Sequence, residues 1–146
     1  MSATAVPENP LALDQQVCFA LYSASRAVTA AYRPLLEPLG LTYPQYLVML
    51  ALWEQSPRTV RELGTTLNLE SGTLSPLLKR MEANGLVTRT RSTADERQVL
   101  VGLTKAGRAL RERAETVPAQ LAQAAGIDEH TLVLLRRTCQ ALIQES

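Results

Sequence analysis

Apolar residues recur along this chain at a spacing of three to four through most of its length and at a spacing of two over one short central stretch. From Leu13 to about Tyr32 the residues Val17, Leu21, Ala24 and Val28 form one stripe, which predicts a helix with Asp14 available as its cap. Pro34 is expected to kink or restart that helix, and Leu35, Leu36 and Leu39 to close on the core before Gly40. A second helix should run from Pro44, a favoured first-turn residue, to about Glu54. Its run YLVMLALW is apolar almost all round, so it should be buried, within the chain or against another subunit. After a loop at Gln55–Arg58, Val60, Leu63 and Leu67 mark a short helix and Asn68–Glu70 a turn. Leu74, Leu77, Leu78 and Met81 mark a further helix, opened by Ser71 or Glu70 and stopped by Asn84-Gly85. Val87 then alternates with Thr88, Arg89, Thr90 and Arg91, and Val99, Val101 and Leu103 alternate again after a polar tip, which predicts a β-hairpin. Helical spacing returns from Lys105 through Ala114 toward Gln123, with Pro118 at a bend, and a last helix is expected from Asp128 to Gln144. In it Leu132, Leu135, Cys139 and Leu142 step by three, four and three, like a coiled-coil seam.

Two short helices joined by a turn and followed by a hairpin make a winged helix-turn-helix, so the expected fold is mainly α with a small β-hairpin wing. On the second helix Ser71, Thr73, Ser75 and Lys79 fall opposite the apolar stripe, with Arg80 beside them. Small hydroxyls approach base edges and phosphates closely while cations neutralise backbone charge, so this face suits the DNA major groove. Gly72 lets the backbone come close as well. An ordinary amphipathic helix pair with a solvated polar face would read the same way, and the hairpin is what strengthens the case. Arg89 lies on its first strand, and Asp95 and Arg97 near its tip. Arg97 is the candidate for the minor groove, whose negative potential favours an inserted arginine.

Length and composition fit one globular domain: 146 residues, 46% hydrophobic and 20% charged. Residues 1–12 are expected to be a loose arm, 13–57 the N-terminal helices, 58–104 the winged unit and 105–146 helices that join two copies. No run of about eighteen apolar residues suggests a membrane span, and MSATAVPENP does not resemble a secretory signal, so a cytoplasmic protein is expected. The net charge of +1 hides a segregation. Between Arg58 and Arg111 there are ten Lys and Arg against five Asp and Glu, a net of +5, and the remainder carries −4. The positive segment is the one that holds the winged unit. A single histidine, His130, and two distant cysteines leave no evident ligand set for a metal, and no cofactor is implied.

All six aromatic residues, Phe19, Tyr22, Tyr32, Tyr43, Tyr46 and Trp53, lie between positions 19 and 53. Cys18 sits at the edge of that group and near the start of its helix, where the dipole favours an anion and phenols could donate to it. A thiolate in such an aromatic cup would attack an oily hydroperoxide. On residue chemistry alone a second reading stands beside this one: Cys18 is a small buried hydrophobe and the aromatics are core. Cys139, on the seam of the last helix, is a possible second thiol and equally an interface hydrophobe.

Asp95-x-Arg97 followed by Leu103-Thr104 resembles the wing signature of the MarR family of dimeric winged-helix regulators. The runs CFALYSASR at Cys18–Arg26, YRPLLEPLGLTYPQYLVMLALWE at Tyr32–Glu54 and SGTLSPLLKRME at Ser71–Glu82 resemble its organic-hydroperoxide-sensing OhrR branch, from Leu13 to about Pro118. The resemblance implies a homodimeric, non-enzymatic repressor of an inverted-repeat operator in double-stranded DNA. It implies that Cys18 is the sensor of organic hydroperoxide, that Tyr32 and Tyr43 hydrogen-bond its thiolate, and that Phe19, Tyr22, Tyr46 and Trp53 complete the pocket. Oxidation would release the operator of a resistance gene. Glu70 stands where the branch usually has Asp, and PAQLAQAAG at Pro118–Gly126 lacks the second cysteine of some relatives, so unless Cys139 reaches it the oxidised sulfur would be trapped by a low-molecular-weight thiol or over-oxidised. The alternatives are a MarR-type repressor released by a phenolic ligand and a thiol peroxidase.

Overall fold

The computed structural model describes residues 9–144, so most of the expected N-terminal arm lies outside the described residues. Asn9–Ala12 form a turn held by Gln16, whose Nε2 donates to the carbonyls of Pro10 (2.9 Å) and Ala12 (2.7 Å). Helix α1 then spans Val17–Leu36. Asp14 does not cap it: Leu13–Gln15 make one 3-10 turn, and the extended Gln16 precedes α1 with no side-chain cap. Pro34 neither ends nor restarts the helix, which runs through it to Leu36. Of the stripe that predicts this helix only Val28 is half-buried. Val17 and Leu21 are exposed, whereas Leu36 is buried.

Helix α2, Tyr43–Glu54, is the centre of the core. Thr42 and Gln45 cap it reciprocally: the Gln45 N–H donates to Thr42 Oγ1 (3.4 Å), and the Thr42 N–H donates to Gln45 Oε1 (3.1 Å). Val48, Met49 and Leu52 are fully buried, as the all-round apolar run requires, although Leu50 remains exposed. Against them pack Leu63 of α3, Val60–Leu67, and Leu74, Leu78 and Met81 of α4, Ser71–Ala83. The turn between α3 and α4 is tight because Asn68 adopts the left-handed region (φ 55°) and the Leu69 N–H returns to the Gly64 carbonyl (2.9 Å).

Arg58, expected to end a loop, forms with Thr59 a short strand, β1. It pairs antiparallel with β3, Val99–Leu103, which also pairs with β2, Val87–Arg91, giving the sheet order β1-β3-β2. The pairing of Val87 with Leu103 and Arg91 with Val99 sets the wing, with Val87 and Val101 buried beneath it. The single bent helix expected from Lys105 to Gln123 is two helices, α5 at Lys105–Ala114 and α6 at Val117–Ala125, with Pro118 in the first turn of α6. Helix α7, Glu129–Gln144, is capped by Asp128, whose carboxylate accepts the Thr131 N–H at 2.7 Å. That bond holds the Asp128 carboxyl below its ordinary range. No residue of α7 is buried, and Leu135 and Leu142 of the seam face solvent. Both end helices therefore leave apolar faces uncovered within one chain. Among the described residues, no helix is long and apolar enough to cross a membrane.

The tightest of the glycine positions lies between α5 and the residue before β2. A Cβ at Gly107 would overlap the carbonyl oxygen of Leu86, whereas a Cβ at Gly72 would meet open space. Gly107→Ala is therefore expected to lower stability on the order of 1–3 kcal/mol, read as a fall in the urea midpoint. Gly72→Ala should hold or raise that midpoint; equal midpoints for the two variants would show that helix and strand part freely here.

Candidate nucleic-acid interface and thiol site

Helices α3 and α4 and the wing enclose a groove of about 790 Å³ whose lining includes Arg61, Ser71, Ser75, Arg89, Asp95 and Arg97. Ser71, Thr73, Ser75, Lys79 and Arg80 are all exposed, and their side chains bond to no other described residue. Alternation of buried Leu74, Leu78 and Met81 with these positions aims the polar side of α4 outward. Glu70 precedes the helix without a side-chain cap bond; its carbonyl accepts the Thr73 and Leu74 N–H groups at 3.0 Å, which leaves those of Ser71 and Gly72 for another acceptor.

The remaining members of the expected DNA-binding set divide by their commitments. Arg89 is engaged: its Nη2 and Nε donate to Glu82 Oε1 at 3.1 and 3.3 Å, and its backbone N–H donates to Glu82 Oε2 at 3.1 Å. It ties the wing to α4. Asp95 accepts from the backbone N–H (3.0 Å) and the Nε (3.4 Å) of Arg97, whose side chain stays 92% exposed. The tip is shaped by Ser92, buried, whose Oγ accepts the N–H groups of Ala94 and Asp95 at 3.2 and 3.4 Å. Asp95 thus orients Arg97, and Arg97 is the side chain that projects. Arg61 was not among the expected contacts. It is exposed in the groove, and its place off the apolar stripe of α3 was the available signal.

Within one chain the thiol and the phenols lie apart. Cys18 is the second residue of α1 and is exposed. Tyr32 lies fourteen residues further along the same continuous helix, which at about 1.5 Å per residue separates the two by about 21 Å. One chain therefore cannot form an aromatic cup around its own Cys18. Phe19 and Tyr22 are exposed, and Tyr22 is occupied by Arg26, whose Cζ lies 5.5 Å from its ring centre and whose Nη1 donates to its hydroxyl at 3.4 Å.

What does assemble is a cluster of three phenols. Tyr32 packs on Tyr43 with ring centres 5.0 Å apart and on Tyr46 at 5.5 Å, both tilted. Burial, and then the nearness of Tyr46 and Tyr43, push the Tyr32 hydroxyl up to about 12. Burial pushes Tyr43 up as well, and burial followed by Tyr43 does the same for Tyr46. All three remain neutral hydrogen-bond donors at neutral pH. Trp53 stands apart at the other end of α2, its Nε1 donating to the Gly107 carbonyl at 2.9 Å. Cys139 is half-buried on α7, and both cysteines are free thiols.

The family model "Transcriptional regulator SarA/Rot" matches residues 30–114. The organic hydroperoxide resistance transcriptional regulator of Bacillus subtilis strain 168 is 54% identical over 106 residues, spanning 73% of this chain and 72% of that protein. Overoxidized AbfR bound to DNA, a form of a Staphylococcus epidermidis protein, is similar at a TM-score of 0.74 and 36% identity over 92% of this chain and 95% of that one. A MarR-family transcriptional regulator from Rhodococcus sp. RHA1 is similar at a TM-score of 0.78 and 27% identity, over 93% and 98%.

Two outcomes follow from the geometry. Arg97→Ala is expected to weaken duplex binding at matched salt and to lower the slope of log affinity against log salt by about 1; an unchanged slope would remove Arg97 from the phosphate or groove contacts. Because the folded Tyr32 value stands above the ordinary 10.0, its contribution to stability is complete below pH 10.0 and is lost as pH rises toward about 12. Tyr32→Phe should flatten the fall of the urea midpoint across that window, and an identical fall would show that Tyr32 ionises without penalty.

Proposed function

The chain belongs to the MarR family of winged-helix transcriptional regulators, and on that premise we propose that it is a homodimeric repressor that leaves its operator when an organic hydroperoxide oxidises Cys18. The observation that carries the proposal is the separation of thiol and phenols along α1. A two-fold axis near Ser25 packs α1 antiparallel on its copy. It brings Cys18 of one chain level with Tyr32 of the other, where Tyr43 stands against that ring. Val17, Phe19 and Leu21, exposed in one chain, are then covered.

Between the two chains the neutral phenols of Tyr32 and Tyr43 donate hydrogen bonds to the Cys18 thiolate, and Phe19, Tyr22 and Tyr46 supply apolar walls for the organic part of the peroxide. The sulfur attacks the terminal oxygen of the hydroperoxide, an S–O bond forms and the O–O bond breaks. The sulfur loses two electrons to become sulfenic acid, and the alkoxide takes a proton from solvent and leaves as an alcohol. The larger product no longer fits between the phenols, and the helices that carry them shift. A low-molecular-weight thiol then traps the sulfenic acid as a mixed disulfide with loss of water, or Cys139 does so if the dimer brings it near.

For DNA the reading assigns Ser71, Thr73, Ser75, Lys79, Arg80 and Arg61 to the major groove and its phosphates and Arg97, aimed by Asp95, to the minor groove, with Arg89 fixing the wing. Two such units on a dyad place recognition helices roughly 34 Å apart, which requires an inverted repeat. A cleft of about 300 Å³ lined by Tyr46, Leu50, Trp53 and Arg111 favours, as a second reading, a repressor released by an aromatic ligand.

Cys18→Ser is expected to bind the operator as wild type does and to stay bound under cumene hydroperoxide, measured by gel shift with intact mass of the protein. Dissociation of that variant at the same peroxide dose would end the redox reading, and release by a phenol that survives Cys18→Ala would favour the second one.

A further inference from the structure

We infer that Trp53 is the positioning residue that carries the state of the thiol site to the wing, an inference that rests on the reading of Cys18 given above. Tyr46 and Trp53 are seven residues apart and so lie on the same side of α2, two turns from one another. Between them Val48, Met49 and Leu52 are fully buried, so α2 moves as a unit or not at all. At its first turn α2 meets the phenol cluster through Tyr43 and Tyr46. At its last turn the Trp53 indole donates to the Gly107 carbonyl at 2.9 Å, in the first turn of α5.

From Gly107 the connection to the DNA-facing half is short. The Gly107 N–H donates to Thr104 Oγ1 (3.0 Å), the Thr104 N–H donates to Leu86 O (3.1 Å), and the Thr104 hydroxyl donates to the Gly85 carbonyl (2.6 Å), with Leu86 O also 3.1 Å from it. Leu86 is the residue before β2, and Gly107 lies so close to its carbonyl that no side chain fits between. On β2, Arg89 is bound to Glu82 of α4, so the wing cannot turn without pulling on the recognition helix. A displacement of the phenol end of α2 is thus handed through one indole N–H to the root of the wing. The bond crosses from α2 to α5 with nothing flexible in the path.

Trp53→Phe keeps an aromatic ring and removes the donor. Operator binding is titrated by anisotropy for wild type and variant, each reduced and each with Cys18 oxidised by cumene hydroperoxide to an extent fixed by intact mass. We expect a modestly lower thermal midpoint from the lost hydrogen bond, equal reduced affinities, equal oxidation of Cys18, and a ratio of reduced to oxidised affinity that falls by roughly 2–30-fold in the variant. Trp53 is also the only tryptophan of the chain, so its own emission in wild type should shift on oxidation and should not shift in Cys18→Ser. An unchanged affinity ratio in folded Trp53→Phe overturns the inference and leaves the reading of Cys18 intact. Emission that stays fixed while oxidised wild type leaves DNA does the same, and this measurement decides the matter should the variant not fold. Wild type that remains on DNA after oxidation overturns the reading of Cys18 and this inference with it.

Discussion

The carbonyl oxygen of Leu86 is the joint between the helical body and the half of the molecule that faces outward. It accepts the Thr104 N–H, lies beside the Thr104 hydroxyl that donates to the neighbouring Gly85 carbonyl, and is roofed by the bare backbone of Gly107. The same Thr104 hydroxyl accepts the Gly107 N–H and so starts α5 in the residue that follows β3. Each such bond adds about 0.5–1.5 kcal/mol net, which is modest as stability. Its geometric effect is larger. One side chain fixes where a strand ends, where a helix begins and how far the two stand from the entrance to β2.

The charged pairs make the same distinction between energy and position. Arg89–Glu82 and Arg97–Asp95 are both partly or largely in water, where an ion pair contributes little to folding. What they do is direct cations. Arg89 is held back to brace the wing, and Arg97 is left projecting with its backbone and Nε already anchored. The segregation of charge between Arg58 and Arg111 therefore overstates how many cations are free to meet a polyanion.

Elements with a strong period were legible before the structure: α2, both helices of the helix-turn-helix and the two strands of the hairpin follow from the spacing of their apolar residues. What escaped has physical reasons. Two residues are too few to display a period, so β1 at Arg58–Thr59 reads as loop until β3 is seen beside it. Asp14 has the chemistry of a cap, but a 3-10 turn intervenes and the helix opens three residues later. Pro118 signalled a change of direction correctly, because a proline suits the first turn of a helix, and α6 begins one residue before it. In the groove, residue types announced the free hydroxyls and cations, whereas the commitment of Arg89 depends on Glu82 coming across from α4, which no local pattern encodes. The aromatic cluster misled for a related reason. Nearness in the chain between Cys18 and the tyrosines is cancelled by the length of the continuous helix α1.

The first helix and the last one share a trait whose effect reaches beyond any single site. Val17, Phe19, Leu21, Leu134, Leu135 and Leu142 all stand exposed in a single chain. Whatever covers them lends its association energy to the folded state, so thermal endurance becomes a matter of mass action as well as of internal packing. Dilution should then loosen the ends of the molecule before its centre, and a newly made chain is most exposed to aggregation in the interval before those faces are covered.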